Sequence, residues 1–441
     1  MEFSHFSFHP QVAAGVVAAG YVTPTPIQRD AIPAVLQGRD VMGLAQTGTG
    51  KTAAFALPIL HRLLQSGGRG ALRALIIAPT RELAEQINES FNTLGGKTGL
   101  RSITVYGGVN IRPQIEKLQR GVEIVVACPG RLLDHIGQGT IDLSRLEVLV
   151  LDEADQMFDM GFFPDIRRIL AKLPSQRQTL LFSATMPPEI RRLTEEVLSD
   201  PVTVQVGTVT AAVTVSHALY PVGQHLKTPL LLELLKHTDT ESVLIFTRTK
   251  HRAKRLGEQL EKAGYRAASL QGNLSQNRRQ AALDGFRDGS FQILVATDIA
   301  ARGIDVSQIS HVINYDIPDT PEAYIHRIGR TGRAARTGDA FTLVTSEDTV
   351  MVRAIERVLG TALERRQQQG FDYAVAAPSR DAEFARPPRP PRGRQGGAKP
   401  VGEKGPASRG SQRPAKAAAP KPAAAGHKPV AGRNPRAPRA R

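Results

Sequence analysis

Residues 45–52 read Ala45-Gln46-Thr47-Gly48-Thr49-Gly50-Lys51-Thr52, two glycines followed by a Lys-Thr pair. Glycines let backbone N–H groups close on phosphate oxygens, and a helix starting at this point would add partial positive charge. Lys51 suits the β- and γ-phosphates of a nucleotide, and the Thr52 hydroxyl suits Mg²⁺. Position 45 is Ala where the general phosphate-loop pattern has Gly. Further along, the apolar run Leu146–Leu151 leads directly into Asp152-Glu153-Ala154-Asp155. An acid at the end of an apolar strand is where nucleotide-hydrolysing folds hold Mg²⁺, which assigns that task to Asp152. The next carboxylate, Glu153, stands to orient or deprotonate a water molecule. Near the carboxyl end, Arg330 and Arg333 carry planar forks suited to a γ-phosphate. Held on a separate domain, they would act as arginine fingers only when a cleft closes.

These residues need a scaffold, and the chain supplies a repetitive one. Short apolar runs rich in β-branched residues alternate with helical patterns, the signature of βαβ units. In the first half the runs are Val41–Ala45, Ala74–Ala78, Ile103–Tyr106, Glu123–Ala127, Leu146–Leu151 and Thr179–Ser183. In the second they are Ser242–Thr247, Arg266–Leu270, Phe291–Ala296, His311–Asn314 and Phe341–Val344. Between the two sets, Gly207–Ser216 is small and polar with no helical period, and it reads as a linker. The fold class is α/β, with two parallel-sheet domains in tandem and a cleft between them.

Composition separates one region from the rest of the 441 residues. Residues 376–441 contain 11 Arg and 5 Lys against Asp381, Glu383 and Glu403, so they carry +13 of the net +16. They also hold 13 of the 30 Pro and one aromatic, Phe384. Such a stretch buries too little apolar surface to offset its ordering entropy, and a disordered tail is expected over residues 371–441. Clustered Lys and Arg suit sequence-tolerant binding to phosphates, and a merely solubilising extension is the other reading. Cys128, the single cysteine, excludes an internal disulfide. The amino terminus lacks a basic and apolar leader pattern, and no run approaches the ~18 apolar residues of a membrane span. A cytoplasmic protein with no membrane partner is expected.

Further motifs fall in a fixed order. Gly20-Tyr21-Val22-Thr23-Pro24-Thr25-Pro26-Ile27-Gln28 precedes the phosphate loop, and Gln28 offers the donor and acceptor needed to read an adenine edge. Pro79-Thr80-Arg81-Glu82-Leu83, Gly107-Gly108, Pro129-Gly130-Arg131 and Ser183-Ala184-Thr185 come next. The second half contributes Phe246-Thr247-Arg248-Thr249, Gln276 with Arg279, and the segment from Ala296 through Thr297 and Arg302-Gly303-Ile304-Asp305. His326-Arg327-Ile328-Gly329-Arg330-Thr331-Gly332-Arg333 closes the series. From about Phe3 to Leu363 this ordered set resembles the DEAD-box family of ATP-dependent RNA helicases. A basic Pro-rich tail on a compact core is most similar to the bacterial RhlE-like subgroup.

The resemblance implies two tandem RecA-like domains. Residues 1–29 would form the adenine-reading region, 30–206 the ATP-binding domain, 207–216 the linker, 217–370 the second domain and 371–441 the tail. It implies nucleotide contacts by Phe3, Tyr21, Gln28, residues 45–52, Gly303 and Asp305, with ATP and Mg²⁺ as ligands. RNA contacts would come from Pro79, Thr80, Arg81, Gly108, Arg131, Thr247, Arg248, Gln276, Arg279 and Thr297. Asp155, Ser183, Thr185, Arg302 and His326 would couple the two sites, His326 by bridging to the Asp155 and Ser183 region. Cys128 stands where the family usually has Thr, which puts one phosphate contact in question. The implied activity is RNA-stimulated ATP hydrolysis that pries short duplexes apart with little regard to sequence. The implied setting is ribosome assembly or RNA turnover, with precursor particles or the degradation machinery as partners. A non-unwinding RNA clamp and a DNA translocase share much of this pattern.

Overall fold

The computed structural model describes residues 2–46, 48–206, 215–238, 241–301, 309–331 and 338–377. Its first sheet contains seven parallel strands: β1 (Val41–Leu44), β2 (Ala74–Ile77), β3 (Ser102–Val105), β4 (Ile124–Ala127), β5 (Val148–Leu151), β6 (Gln178–Ser183) and β7 (Val202–Gln205). Their spatial order is β3-β4-β2-β5-β6-β1-β7. The central strands are buried on both faces, which is why they read as unbroken apolar runs rather than alternating ones. On one face Phe55 packs its ring 5.5 Å from Phe182 and 6.2 Å from Phe91. Leu75, Leu149, Met157 and Ile169 fill the other. Each such fully buried side chain contributes about 1.5–3 kcal/mol relative to exposure.

The second sheet repeats the plan with β8 (Val215–Pro221), β9 (Val243–Phe246), β10 (Ala267–Leu270), β11 (Ile293–Ala296), β12 (His311–Asn314), β13 (Gly338–Val344) and β14 (Glu364–Arg365). It is also seven-stranded and parallel, in the order β10-β11-β9-β12-β13-β8-β14. Open parallel sheets bind ligands beyond the carboxyl ends of their strands. Lys51, Asp152, Thr247 and Thr297 all lie just past those ends. Among the described residues no helix is long and apolar enough to cross a membrane.

The structure adds strands that the apolar runs did not mark, namely β7, β8 and β14. Strand β7 lies at a sheet edge with alternating exposure, and its Val-Thr-Val-Gln alternation was the available signal. Strand β8 begins at Val215, so the segment read as a linker over 207–216 extends two residues too far. Residues 207–214 lie outside the described residues. The tail expectation also starts too early. Phe371 and Tyr373 stack edge to face at 4.9 Å and pack on the core beneath the second sheet, and His225 Nε2 lies 2.7 Å from the Val375 carbonyl. Two aromatics so close to a basic extension supply the anchoring surface that the extension lacks. Residues 378–441 lie outside the described residues.

Candidate functional site

Strand β1 delivers the phosphate loop. Gly48 and Gly50 adopt φ of +85° and +93°, a region costly for residues with a Cβ, and helix Lys51–Gln65 starts immediately after. Lys51 is buried, and its Nζ donates to the Ala45 carbonyl at 2.9 Å. The Thr49 hydroxyl donates to the Gln46 carbonyl at 2.7 Å. Ala45 continues the sheet, its N–H donating to Ser183 O at 3.0 Å and its methyl group sitting in the core. That explains why Ala is tolerated where the general pattern has Gly. Thr47 lies outside the described residues.

Gln28 lies against this loop. Its Oε1 accepts from the Thr25 N–H at 2.9 Å, and its Nε2 donates to the Gly50 carbonyl at 3.1 Å. The Thr25–Gln28 segment is thereby tied to the phosphate loop, and a side chain at Gly50 would run into Gln28. Phe3 and Tyr21 come together with ring centroids 5.6 Å apart. Tyr21 is 40% exposed whereas Phe3 is 5% exposed, so the Tyr21 ring is open to solvent and Phe3 packs behind it.

Asp152 and Glu153 come directly after β5, and both are buried. Burial pushes the Asp152 carboxyl up to about 7 against the pull of Lys51, with the Glu153 charge adding to the rise. Glu153 has φ +52°, an uncommon left-handed backbone for a residue with a side chain. Strain of this kind costs on the order of 1–3 kcal/mol and persists where the surroundings over-determine it. Asp155 Oδ2 accepts from the Ala184 N–H (3.1 Å), the Thr185 N–H (2.8 Å) and the Thr185 hydroxyl (2.9 Å). The Asp155 N–H donates to Ser183 Oγ at 3.3 Å. Four hydrogen bonds thus join the acidic motif to the Ser183–Thr185 segment.

The second domain meets this piece across a cavity of about 40 Å³ lined by Gln156 and Asp159 on one side and by His326, Arg327 and Arg330 on the other. Arg330 is buried and lines this cavity opposite Gln156 and Asp159 of the first domain. Among the described residues His326 forms no hydrogen bond to Asp155 or Ser183, although the Asp155 charge acts on it. Burial lowers the His326 pKa and favours its neutral form, with the Asp155 charge opposing. Arg302, Gly303, Asp305 and Arg333 lie outside the described residues.

A second cavity, about 540 Å³, brings together Pro79, Thr80, Arg81, Arg131, Arg248, Arg279 and Thr297 from both domains. Sequence reasoning missed Lys250, Phe162 and Leu274 among its other lining groups, whereas Ile299 belongs to the Ala296–Asp305 segment. Lys250 carried a signal as a cation beside Arg248; the apolar ones carried none. Three expected contacts are placed differently. Thr247 is fully buried, with its hydroxyl 3.4 Å from the Thr249 carbonyl, so it braces the loop from within. Gly108 (φ +76°) sits so tightly against the Arg81 guanidinium that a side chain there would collide with it. Gln276 reaches across the cleft, where its Oε1 accepts from Arg81 Nη1 at 3.0 Å. Beside it, Arg279 Nε donates to Glu82 Oε1 at 2.9 Å, and its Nη2 forms an ion pair with the same oxygen at 2.7 Å.

Arg327 has no assigned role in the sequence reading, and the structure makes it a hub. It forms a bidentate pair with Asp298 (2.5 and 2.7 Å), donates to Asn314 Oδ1 and Asp316 O, and stacks over Phe246 at 4.9 Å. Asp316 in turn accepts from the Arg248 N–H at 2.8 Å and from Arg252 at 2.6 Å, fixing the loop that carries Arg248.

This paired architecture matches two family models in sequence order. Residues 25–193 match the DEAD/DEAH box helicase model, and residues 226–335 match the helicase conserved C-terminal domain. The chain is 43% identical over 381 residues to the DEAD-box ATP-dependent RNA helicase CshA of Geobacillus kaustophilus, covering 86% of this chain and 81% of that protein. The chain belongs to the DEAD-box ATP-dependent RNA helicase family. A DeaD helicase of Mycobacterium tuberculosis is 44% identical over 367 residues, covering 83% of this chain and 64% of its own. Among solved structures, S. cerevisiae Dbp5 bound to RNA and ADP BeF3 superimposes with a TM-score of 0.76 at 31% identity, covering 83% of this chain and 95% of that one. These relatives are named CshA and DeaD, so they do not bear out the RhlE-like subgroup.

Cys128 marks this DEAD-box protein's departure from the family pattern. Two threonines cap equivalent helices with their hydroxyls, Thr80 to the Leu83 N–H and Thr249 to the Arg252 N–H, both at 3.2 Å. Cys128 stands at the corresponding start of helix Pro129–Gly137 and makes no such bond. Burial pushes its thiol up to about 12, so it is a neutral group.

Proposed function

We propose that this DEAD-box protein is an ATP-gated clamp that closes on one RNA strand and thereby separates short duplexes. The observation that carries the reading is that the domains touch on both ligand faces, through Arg279 and Glu82 on one and around His326 and Arg330 on the other. Residues contacting either ligand therefore help to complete the same interface, and each ligand must tighten the other by the same factor.

In this reading the loop amides and Lys51 hold the ATP phosphates, while Gln28 and Tyr21 hold adenine, Gln28 exchanging one of its protein hydrogen bonds to do so. Asp152 and Thr52 fit Mg²⁺: both offer hard oxygen donors, and a cation would keep the buried Asp152 carboxyl ionised. When bound, Mg²⁺ neutralises charge on the phosphate oxygens. Glu153 orients the attacking water and accepts its proton, and Arg330 with Arg333 braces the γ-phosphate. Asp155 and the Ser183–Thr185 segment pass the state of this site toward the RNA groove. There Arg81, Arg131, Arg248 and Lys250 hold phosphates, which gives affinity without base readout. Cytoplasmic action in ribosome assembly or RNA turnover fits such sequence tolerance.

Unwinding of a short RNA duplex with a single-stranded overhang tests this. ATP-dependent strand separation, reduced by 2′-deoxy substitution of the loading strand, is expected. ATP-dependent binding without separation would make the chain a static clamp, and full activity on DNA would make it a general translocase.

A further inference from the structure

Arg131 lies on the first turn of helix Pro129–Gly137, and four residues further along the same helix is His135. His135 is fully buried, an uncommon place for an imidazole that no catalytic step uses. Its Nε2 lies 3.3 Å from Gln114 Oε1, and its Nδ1 lies 2.7 Å from the Thr140 hydroxyl. Gln114 is also buried, and its Nε2 donates to the Tyr106 carbonyl at 3.0 Å. The amide orientation fixes the protons along this chain. With its nitrogen facing a carbonyl, Gln114 presents an acceptor to His135, so Nε2 carries the ring proton, while the Thr140 hydroxyl lies within reach of both Nδ1 and, at 3.2 Å, the His135 carbonyl. The ring is neutral, the form that its burial favours.

Tyr106 is the last residue before the Gly107–Gly108 turn. On the far side of that turn, Arg131 Nη2 donates to the Val109 carbonyl at 3.1 Å. One helix therefore holds both flanks of the turn, through Arg131 directly and through His135 by way of Gln114. We propose that His135 is a positioning residue that locks the Gly107–Gly108 turn and the Arg131 helix into a single RNA-binding unit. The proposal rests on the reading of those two elements as RNA contacts. Groups that grip a flexible polymer bind well only when their own positions are fixed beforehand. The relay supplies that fixity from the interior, away from the ATP site.

The test is RNA-stimulated ATP hydrolysis by the full chain, titrated separately with single-stranded RNA and with ATP. His135→Leu is expected to raise the RNA concentration for half-maximal stimulation about tenfold, the effect of losing one buried hydrogen bond. The rate at saturating RNA and the KM for ATP should stay within about twofold, a split that general destabilisation does not produce. An unchanged RNA requirement, or a parallel loss of rate and ATP affinity, overturns the proposal. Combining Gln114→Leu with His135→Leu should be no worse than the more severe single change, and additive losses overturn it too. Should His135→Leu fail to fold, Gln114→Glu carries the test: it keeps the shape and the acceptor for His135 but removes the donor to Tyr106. The same RNA shift supports the relay, and no shift overturns it. Arg131→Ala distinguishes the two levels. If it leaves RNA affinity unchanged, the RNA reading itself fails; if it weakens RNA binding while His135→Leu does not, only the relay fails.

Discussion

Arg279 of the second domain donates a hydrogen bond through Nε to Glu82 Oε1 of the first and pairs its Nη2 with the same oxygen, Glu82 being buried and Arg279 mostly so. Removing one partner of such a pair leaves the other charge buried, at roughly 3–5 kcal/mol. The penalty falls on the closed arrangement, because opening the cleft returns both groups to water. Glu82→Gln should therefore weaken the coupling between ligands more than the binding of either alone. The measurement is ATP affinity with and without saturating RNA. A ratio equal to that of the unaltered protein would show that the pair does not hold the cleft shut.

Glu153 is assigned as the base and Asp152 as the metal ligand, so the two can be separated. Glu153→Gln should bind ATP and RNA normally and turn over at least about a hundredfold more slowly, the usual span of general-base catalysis. Lys51→Ala should lose ATP binding itself. Single-turnover hydrolysis with RNA present decides the point, and wild-type rates in Glu153→Gln would remove Glu153 from the mechanism.

Gln28 links the adenine side to the Gly50 carbonyl, and Gln28→Ala leaves buried polar groups without partners at about 1–3 kcal/mol. ATP affinity should fall by one to two orders of magnitude, the equivalent of that cost. Competition between ATP and GTP in the unaltered protein checks the specificity, and equal affinities would contradict adenine reading.

Cys128→Thr restores the cap that Thr80 and Thr249 provide elsewhere. Replacing a non-capping residue by Thr should stabilise helix Pro129–Gly137 by about 0.5–1 kcal/mol. Thermal unfolding of the pair of proteins reads this directly. A lowered midpoint would mean that the buried site cannot accept the hydroxyl.

Truncation after Ala377 removes the basic extension while sparing the docked Phe371–Val375 segment. The RNA-saturated rate of hydrolysis should hold, and the salt dependence of RNA affinity should flatten by roughly 0.7 in slope for every phosphate that the extension no longer neutralises. Identical slopes for the two lengths would leave the extension as a solubilising tail. Truncation before Phe371 should additionally destabilise the second domain, since it uncovers the core where Phe371 and Tyr373 pack.

The parts legible in the sequence are those whose geometry is local. A Gly-Lys-Thr loop after a strand, or an acid at a strand end, fixes its own shape within a few residues, and Gly48, Gly50 and Asp152 lie where their spacing implies. What escaped depends on partners remote in the chain. Nothing near Gln276 or Arg279 signals that they answer Arg81 and Glu82 nearly two hundred residues earlier. Strand β14 is two residues long and exists only because β8 offers an edge, so no periodicity announces it. The docking of Phe371 and Tyr373 was hidden by the basic, Pro-rich composition of residues 376–441, which dominates any average over the segment.

The contact between Gln28 and Gly50 has a bearing on redesign and on descent. The two positions lie 22 residues apart yet share one packed junction, where the carbonyl of one is held by the amide of the other. A side chain at Gly50 would strike the Gln28 amide and be strained by φ of +93°, so Gly50 cannot change unless Gln28 moves. Under the proposed adenine role, altering Gln28 for another nucleobase also removes its hydrogen bond to the phosphate loop. In that role of Gln28, base preference and triphosphate grip share one junction, so a library aimed at either has to vary both positions together.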